Sequence, residues 1–220
     1  MAENSLLRSN LVLRIMTAIV TGPLVIALVV LSWCTTALLF VVLILLALYE
    51  YIHLVRQRPS STLNNVLFGT AYLGIPLAAA LWLRGEKDSE IWFLLMLFAN
   101  WMTDIAAFLA GRFFGKTLLA PKISPKKTWE GVIGGLVMGF AVTLVAALVL
   151  DFDIKAAVIV LAIGVPIATI LGDLLESKLK RHFQVKDSGN ILPGHGGILD
   201  RIDGTLLALP VAALVVALIA

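Results

Sequence analysis

Acidic, basic and glycine residues are concentrated within residues 172–203, in a sequence that is otherwise mostly aliphatic. Residues 173–183 contain neither glycine nor proline, and this predicts a helix. One face of that helix would carry two carboxylates, a hydroxyl and an ammonium at i, i+3, i+4 and i+7, namely Asp173, Glu176, Ser177 and Lys180. Polar groups at such density beside apolar segments are costly unless they have a function, so we interpret this stretch as the active site.

The second part of the stretch, residues 186–197, is rich in glycine and contains one proline. This composition predicts a loop whose backbone N–H groups can approach an anion closely. Asp200 and Asp203 then place two more carboxylates at i, i+3, where the apolar run 206–220 begins. We therefore expect phosphate to be bound here, with acids at the membrane surface.

Carboxylates brought together from separate segments repel one another, and a divalent cation or interleaved basic residues usually resolve the conflict. Oxygen ligands without cysteine suit a hard ion such as Mg²⁺, which takes one or two carboxylates and completes its shell with water and phosphate oxygens. The alternative is a solvated, salt-bridged loop between two membrane spans. Charge alone does not decide between them.

Two polar features precede this stretch. Asp104 lies within an otherwise apolar helical segment, where an ionisable residue is functional by default, and we expect it to contact substrate or metal.

Residues 116–129 contain four lysines and two prolines. The prolines predict a loop rather than a helix. The ammonium and hydroxyl groups of this loop could donate to phosphate oxygens. Without further context, such a loop would more often contact lipid headgroups.

The residues 177–203 resemble the signature of the CDP-diacylglycerol synthase (phosphatidate cytidylyltransferase) family. The matching positions are Lys180, Arg181, Lys186, Asp187, Pro193, His195, Gly196, Gly197, Asp200, Arg201, Ile202 and Asp203. Residues 104–116 and 124–131 also resemble that family, so the similarity covers roughly the C-terminal half. Members of the family extend further on the N-terminal side, which makes this chain resemble a short member.

The resemblance implies a nucleotidyltransferase of phospholipid biosynthesis that converts CTP and phosphatidate into CDP-diacylglycerol and diphosphate with Mg²⁺ or another hard divalent cation. We assign Asp173 and Asp200 as metal ligands, with Lys180 between them holding phosphate as a third catalytic residue. CTP, phosphatidate and membrane lipids are the expected partners, and nucleic acid is not. The expected substrate-binding residues are Asp104, Arg112, Ser124, Lys126, Lys127, Ser177, Arg181, Lys186, Asp187, His195, Gly196, Gly197, Arg201 and Asp203.

Three other functions stay open at this stage. A short relative that acts on another lipid could be a CTP-dependent polyprenol or isoprenoid kinase. A transporter would explain Asp104 but not the glycine-rich loop with His195. A non-catalytic membrane scaffold would retain the fold but would not need the full set of acids.

The elements that position these residues must be membrane helices. The chain has 220 residues, 60% of them hydrophobic, and a mean hydropathy of +0.99, which excludes an ordinary soluble domain. A helix needs about 20 apolar residues to cross a bilayer core of roughly 30 Å. The fold is therefore predicted to be an all-α transmembrane bundle with seven spans, at residues 11–31, 36–55, 63–83, 91–109, 131–150, 156–175 and 205–220.

Basic residues predict the orientation of these spans. With the N-terminus in the cytoplasm, the inner loops hold fourteen of the 17 Lys and Arg residues, and the outer loops hold Arg84, Lys87 and Lys155. The expected location is a bacterial-type inner membrane, with the active site on the cytoplasmic side and no cleaved signal peptide. The chain is a single membrane domain in which residues 1–90 are scaffold and residues 91–220 carry the site. In the scaffold, Glu50 is expected to be a satisfied interface residue rather than a ligand.

Gly131, Gly135 and Gly139 recur at four-residue spacing in the fifth predicted span. Small residues on one stripe let two helices approach closely in lipid. This stripe predicts a packing seam, either inside the bundle or between the protomers of a homo-oligomer.

Overall fold

A computed structural model of the protein describes residues 19–57, 62–191 and 196–219. Helices dominate this part of the chain, and one short β-hairpin interrupts them. In chain order the elements are α1 (Ile19–Leu31), α2 (Trp33–Gln57), α3 (Thr62–Gly85), α4 (Ser89–Phe114), β1 (Leu118–Ala120), β2 (Ser124–Thr128), α5 (Trp129–Val149), α6 (Ala156–His182) and α7 (Leu199–Ile219).

Six of the described helices, α2 to α7, are long and apolar enough to cross a membrane. Large aliphatic and aromatic side chains are exposed along them, including Leu45 and Val137, as expected for helices that face lipid. The protein is thus a multi-pass membrane protein, and the helical architecture is confirmed. The first predicted span, 11–31, is described from Ile19 onwards, so the count of seven spans stays a prediction.

The helices α4 and α6 continue past the apolar spans that were predicted for them. The predicted span 91–109 is extended to Phe114, and the predicted span 156–175 is extended to His182. The extension of α6 confirms the predicted helix over residues 173–183, with its C-cap at Phe183. Both extensions carry residues that were predicted to form the site.

The prediction of a loop over residues 116–129 is wrong, because β1 and β2 pair as an antiparallel hairpin with Leu118 opposite Thr128. In a two-stranded ribbon each strand has one unpaired edge, so the missing N–H of Pro125 can be tolerated. The hairpin leads directly into α5, where the Thr128 side chain accepts a hydrogen bond from the Gly131 N–H at 3.2 Å as the N-cap.

The glycine stripe is a seam within the bundle, between α4 and α5. A Cβ atom at Gly131 would lie 2.8 Å from the carbonyl oxygen of Ala107, and one at Gly135 would lie 2.9 Å from that of Thr103. Gly131, Gly135 and Gly139 are all buried. Because α4 already covers these glycines, the alternative of a seam between protomers is not supported for the described chain.

Helices α6 and α7 pack antiparallel. Gly164 of α6 lies against Val211, whereas Gly172, eight residues later, lies against the backbone of Asp203 and Gly204. Asn100 of α4 ties the pair together, because its Oδ1 accepts from the Thr169 hydroxyl at 2.8 Å and its Nδ2 donates to the Thr205 hydroxyl at 3.2 Å. Asn100 thereby fixes the polar ends of α4, α6 and α7 in position relative to one another.

Candidate active site

Three carboxylates from α6 and α7 form the acid cluster, defined as Asp173, Glu176 and Asp203. One oxygen of each lies within 4.8 Å of the others. Asp173 and Glu176 are three residues apart on α6 and share a face, and the antiparallel register brings Asp203 of α7 to the same level. Glu176 is fully buried. Three convergent carboxylate oxygens are suitable ligands for a hard divalent cation.

The acid cluster has cationic and acidic neighbours on α4 and on the hairpin. Lys127, at the end of β2, forms a close ion pair with the Asp173 carboxylate. Asp104 of α4 interacts electrostatically with Asp173, Lys127 and Asp203. The structure therefore brings Asp104 and Lys127 to the acid cluster from two elements that are distant in sequence.

Lys180 bridges two carboxylates, one from each helix. Its Nζ lies 2.6 Å from Glu176 Oε2 and 2.7 Å from Asp200 Oδ1. The prediction placed Lys180 between Asp173 and Asp200, at a shared cation. In the structure Lys180 neutralises Glu176 instead of reaching Asp173, and it links the acid cluster to Asp200.

Asp173 and Asp200 lie about one helical turn apart along the axis of the bundle. Gly172 of α6 lies against Asp203 and Gly204 of α7, so Asp200, three residues before Asp203, is level with about Glu176 of α6. That level is three residues, or about 4.5 Å, along the axis from Asp173. Asp203, one turn further into α7, is the residue that meets Asp173, so the structure favours Asp203 over Asp200 as its partner.

The second group of polar residues is the α7 anchor, defined as Glu50, Ser188 and Asp200. Asp200 Oδ2 accepts hydrogen bonds from the Gly197 N–H at 2.9 Å and from the N–H and hydroxyl of Ser188, both at 3.0 Å. The same hydroxyl lies 3.1 Å from Glu50 Oε2. The α7 anchor therefore joins α2, the segment after α6 and the first turn of α7.

The remaining predicted residues divide by exposure. Gly196 has φ +83°, in the region that favours glycine, and a Cβ there would lie 2.9 Å from Asp200 Oδ2. Ser177 is buried on α6, Ser124 opens β2 and is partly buried, and Gly197 is buried. His195 lies outside the described residues. Exposed side chains belong to Arg112, Lys126, Arg181, Lys186, Asp187 and Arg201.

Arg181 has a contact that ties the hairpin to α6. Its Nε donates to the carbonyl oxygen of Ile123 at 3.1 Å, and its Nη1 donates to that of Val185 at 3.3 Å. This places the turn of the hairpin beside the end of α6. Arg181 thus connects the two segments from which Lys127 and Asp173 come.

Three residues of this arrangement, Glu176, Glu50 and Ser188, were not among the predicted site residues. Glu176 had a usable signal, because its i, i+3 spacing to Asp173 put both carboxylates on one helix face. Glu50 is a satisfied residue, as expected, but its donors are residues 138 to 149 positions away. No local sequence pattern could have indicated those partners.

Comparisons with known proteins agree on one family. The sequence model of the cytidylyltransferase family matches residues 60–219. A phosphatidate cytidylyltransferase of Rickettsia conorii is 33% identical over 208 residues, covering 91% of this chain and 88% of that relative. One of Staphylococcus saprophyticus is 44% identical over 146 residues, covering 66% of this chain. That alignment covers 55% of the Staphylococcus saprophyticus protein, about half of its length.

Proposed function

The chain belongs to the cytidylyltransferase family, and we propose that it transfers the cytidylyl group of CTP to phosphatidate. A phosphate oxygen of the lipid attacks the α-phosphorus of CTP, and the bond from that phosphorus to the bridging oxygen of the β-phosphate breaks. The products are CDP-diacylglycerol and diphosphate. Because the lipid phosphate is already anionic near neutral pH, the reaction needs positioning and charge neutralisation more than a strong base.

One observation carries this proposal. The similarity to the Rickettsia conorii phosphatidate cytidylyltransferase extends over 91% of the chain, and the family match at residues 60–219 includes both helices that contribute to the acid cluster. A scaffold that had lost activity would have no need for three convergent carboxylates, because such groups repel one another in the absence of a cation. The acid cluster is thus an argument for retained catalysis.

The acid cluster fits a divalent cation on its donor chemistry. Its ligands are hard oxygens, and the buried Glu176 accepts no backbone N–H within the described chain, while Lys180 pairs with its Oε2 at 2.6 Å. Asp173, Glu176 and Asp203 would hold Mg²⁺, which when bound neutralises phosphate charge and aligns the two polyanions. This assignment replaces Asp200 with Glu176 and Asp203 and keeps Asp173.

The basic residues have separate roles in this proposal. Lys127 balances Asp173 and is placed to meet a phosphate at the edge of the acid cluster. Lys180 is held between Glu176 and Asp200, so it sets the charge of the site and presents its ammonium beside the cluster. The exposed Lys126, Lys186 and Arg201 attract the polyanionic substrate to this end of the bundle.

The site lies on the cytoplasmic side of a bacterial inner membrane in this proposal, as the distribution of Lys and Arg predicts. A lipid with two acyl chains is costly to extract, at about 0.8 kcal/mol per buried CH₂, so its headgroup must be met at the membrane surface. In a Cys34→Ser background, a single cysteine at Glu86 should react with an impermeant reagent on intact cells, and one at Asp187 should not. Labelling at Asp187 would reverse the orientation.

The activity is tested with the purified chain, phosphatidate, Mg²⁺ and CTP labelled at the α-phosphate or at the γ-phosphate. Label from the α-phosphate should enter a lipid product, and label from the γ-phosphate should leave as diphosphate. Transfer of the γ-label to a lipid would indicate a kinase instead. No transfer of either label by folded protein would contradict the proposal.

A further inference from the structure

Glu50 is a buried carboxylate in the part of the chain that precedes the family match at residues 60–219. Its side chain is on α2, near the cytoplasmic end in the proposed orientation, and the residue is only 2% exposed. A buried carboxylate is costly unless its oxygens are satisfied. Its partners therefore indicate what it does.

Among the described residues, three donors to Glu50 lie in the segment that leads into α7 and in the first residue of α7. Oε1 accepts from the Ile198 N–H at 3.0 Å, and Oε2 accepts from the Leu199 N–H at 2.9 Å. The third donor is the Ser188 hydroxyl at 3.1 Å from Oε2. The first N–H groups of a helix have no partner within it, and a negative charge at that end is favourable. Glu50, on a different helix, supplies α7 with both the hydrogen-bond acceptors and the negative charge.

The segment is also shaped to admit this carboxylate. A Cβ atom at Gly189 would lie 2.5 Å from Glu50 Oε1, and one at Gly197 would lie 2.5 Å from Oε2. A larger residue at either position would displace the Glu50 carboxylate from its donors or move the segment. The two glycines let the backbone close around Glu50 on both sides of residues 192–195.

The start of α7 fixes the position of the acid cluster. Asp203 follows Leu199 by four residues, about one helical turn or 6 Å, so a shift in the first turn moves Asp203 relative to Asp173 and Glu176. Asp200, one residue after Leu199, shares the Ser188 hydroxyl with Glu50. That hydroxyl has one proton, so it can donate to only one of the two carboxylates at a time.

We propose that Glu50 is a positioning residue, which sets the register of α7 and thereby the place of Asp203 in the acid cluster. The kinetic part of this inference rests on the proposed cytidylyl transfer, whereas the structural part does not. Glu50 touches neither substrate nor reacting atoms in this account. It acts on catalysis through the backbone of Ile198 and Leu199.

The test compares Glu50→Gln with Thr36→Val in the purified full-length chain. Both changes nearly preserve shape, and both remove a buried polar group from α2, since Thr36 is 1% exposed. Thr36, near the other end of α2, donates to the carbonyl oxygens of Val29 and Ser32 and accepts from Arg84, and within the described chain its hydroxyl makes no hydrogen bond to α7. In Glu50→Gln, the amide NH₂ replaces one oxygen and must face a backbone N–H, so one hydrogen bond is lost in either orientation of the amide.

Hydrogen exchange at Ile198 and Leu199 is the readout that needs no substrate. Glu50→Gln should raise it by about tenfold or more, and Thr36→Val should leave it near the wild-type rate. Equal exchange in both variants would overturn the proposal. If the wild type makes no lipid product, the proposed function fails, but the exchange result still decides whether Glu50 holds α7.

Kinetics separate positioning from simple stabilisation. Each variant is assayed at the same interval below its own melting temperature. Glu50→Gln should then lower kcat by about tenfold or more, because small misplacements in an active site have large effects. Thr36→Val should change kcat by less than about twofold. A Glu50→Gln variant with lowered melting temperature and unchanged kcat would show a merely structural role.

Ser188→Ala provides a milder variant if Glu50→Gln fails to fold. It removes the shared hydroxyl and leaves the two backbone hydrogen bonds to Glu50 in place. Exchange at Ile198 and Leu199 should then stay within about threefold of wild type. If Ser188→Ala accelerates exchange by tenfold or more, the hydroxyl rather than Glu50 holds α7, and the proposal is wrong.

Discussion

The acid cluster and the α7 anchor contain the same kind of side chain in opposite states. In the α7 anchor, both oxygens of Glu50 accept backbone N–H groups, and Asp200 accepts from Lys180, Ser188 and Gly197. In the acid cluster, Glu176 accepts no backbone N–H within the described chain and is paired with Lys180, and Asp173 is paired with Lys127. Carboxylates that bind backbone N–H groups of another element hold that element in place, whereas a group of carboxylates balanced by lysine side chains is available to a cation.

This difference assigns separate tasks to residues that sequence spacing treats alike. Asp200 and Asp203 are three residues apart, yet one belongs to each group. Lys180 connects the groups, because it contacts Glu176 and Asp200 at once. Substitutions on the two sides of Lys180 should therefore have different consequences for turnover, stability and metal dependence.

The largest expected effect is on turnover when the acid cluster loses a ligand. Glu176→Gln or Asp203→Asn should lower Mg²⁺-dependent turnover by about 100-fold or more, because a charged ligand is removed from the site that neutralises phosphate. The melting temperature of Asp203→Asn should not fall, since one carboxylate fewer relieves repulsion, whereas that of Glu176→Gln should fall, because Lys180 loses a buried partner. Asp153→Asn, at an exposed ion pair, is the control and should remain active. Turnover near wild type in either cluster variant would remove the distinction between the two groups.

Asp200→Asn should affect stability more and chemistry less. Asp200 has an 8% exposed side chain paired with Lys180, and removing one partner of a buried pair commonly costs about 3 kcal/mol. The melting temperature should drop by several degrees, and turnover should fall by about tenfold through the shifted α7. The Mg²⁺ concentration for half-maximal turnover should not change. A large increase in that concentration would restore Asp200 as a metal ligand.

Lys127→Gln should weaken the site from the hairpin side. Its side chain is 23% exposed and its ammonium balances Asp173, so its loss leaves the acid cluster more negative and repels a nucleotide triphosphate. We expect the KM for CTP to rise by about tenfold, a moderate electrostatic effect. Lys122→Gln, an exposed residue in the turn of the same hairpin, should change KM by less than about twofold. Similar effects of the two variants would mean that overall charge, and not Lys127, matters.

The smallest expected effect is on packing behind the acid cluster. Gly135→Ala would put a Cβ atom 2.9 Å from the Thr103 carbonyl oxygen, and overpacking of this kind costs about 1–3 kcal/mol. Because α5 follows directly from Lys127 and Thr128, the strain should also raise the KM for CTP slightly and leave exchange at Ile198 unchanged. Gly74→Ala, with no atom within 4 Å of its Cβ, should not be destabilising. Equal thermal stability of the two variants would contradict the close α4–α5 contact.

Much of this arrangement could be predicted from local sequence. The apolar runs located the helices, the absence of glycine and proline predicted the extension of α6, and the signature predicted the family, which the comparisons confirm. Each of these inferences depends on residues within a few turns of one another. The spacing of Gly131, Gly135 and Gly139 likewise predicted the seam that packs on α4.

The pairings across elements could not be predicted in this way. Whether Asp200 or Asp203 meets Asp173 depends on the axial register of α6 and α7, and a difference of one turn, about 5.4 Å, exchanges the two residues. The hairpin was missed because its prolines, which argue against a helix, were taken to indicate an irregular loop. Glu50 was expected to be satisfied, but its partners are nearly 150 residues away.

Binding of Mn²⁺ in place of Mg²⁺ tests most directly whether the acid cluster is the cation site. Free and bound Mn²⁺ can be distinguished by electron paramagnetic resonance without substrate. The acid cluster account predicts that wild type and Asp200→Asn bind Mn²⁺ with similar affinity, and that Glu176→Gln and Asp203→Asn each weaken binding by about tenfold or more. Loss of binding in Asp200→Asn, with binding retained in Glu176→Gln and Asp203→Asn, would contradict it.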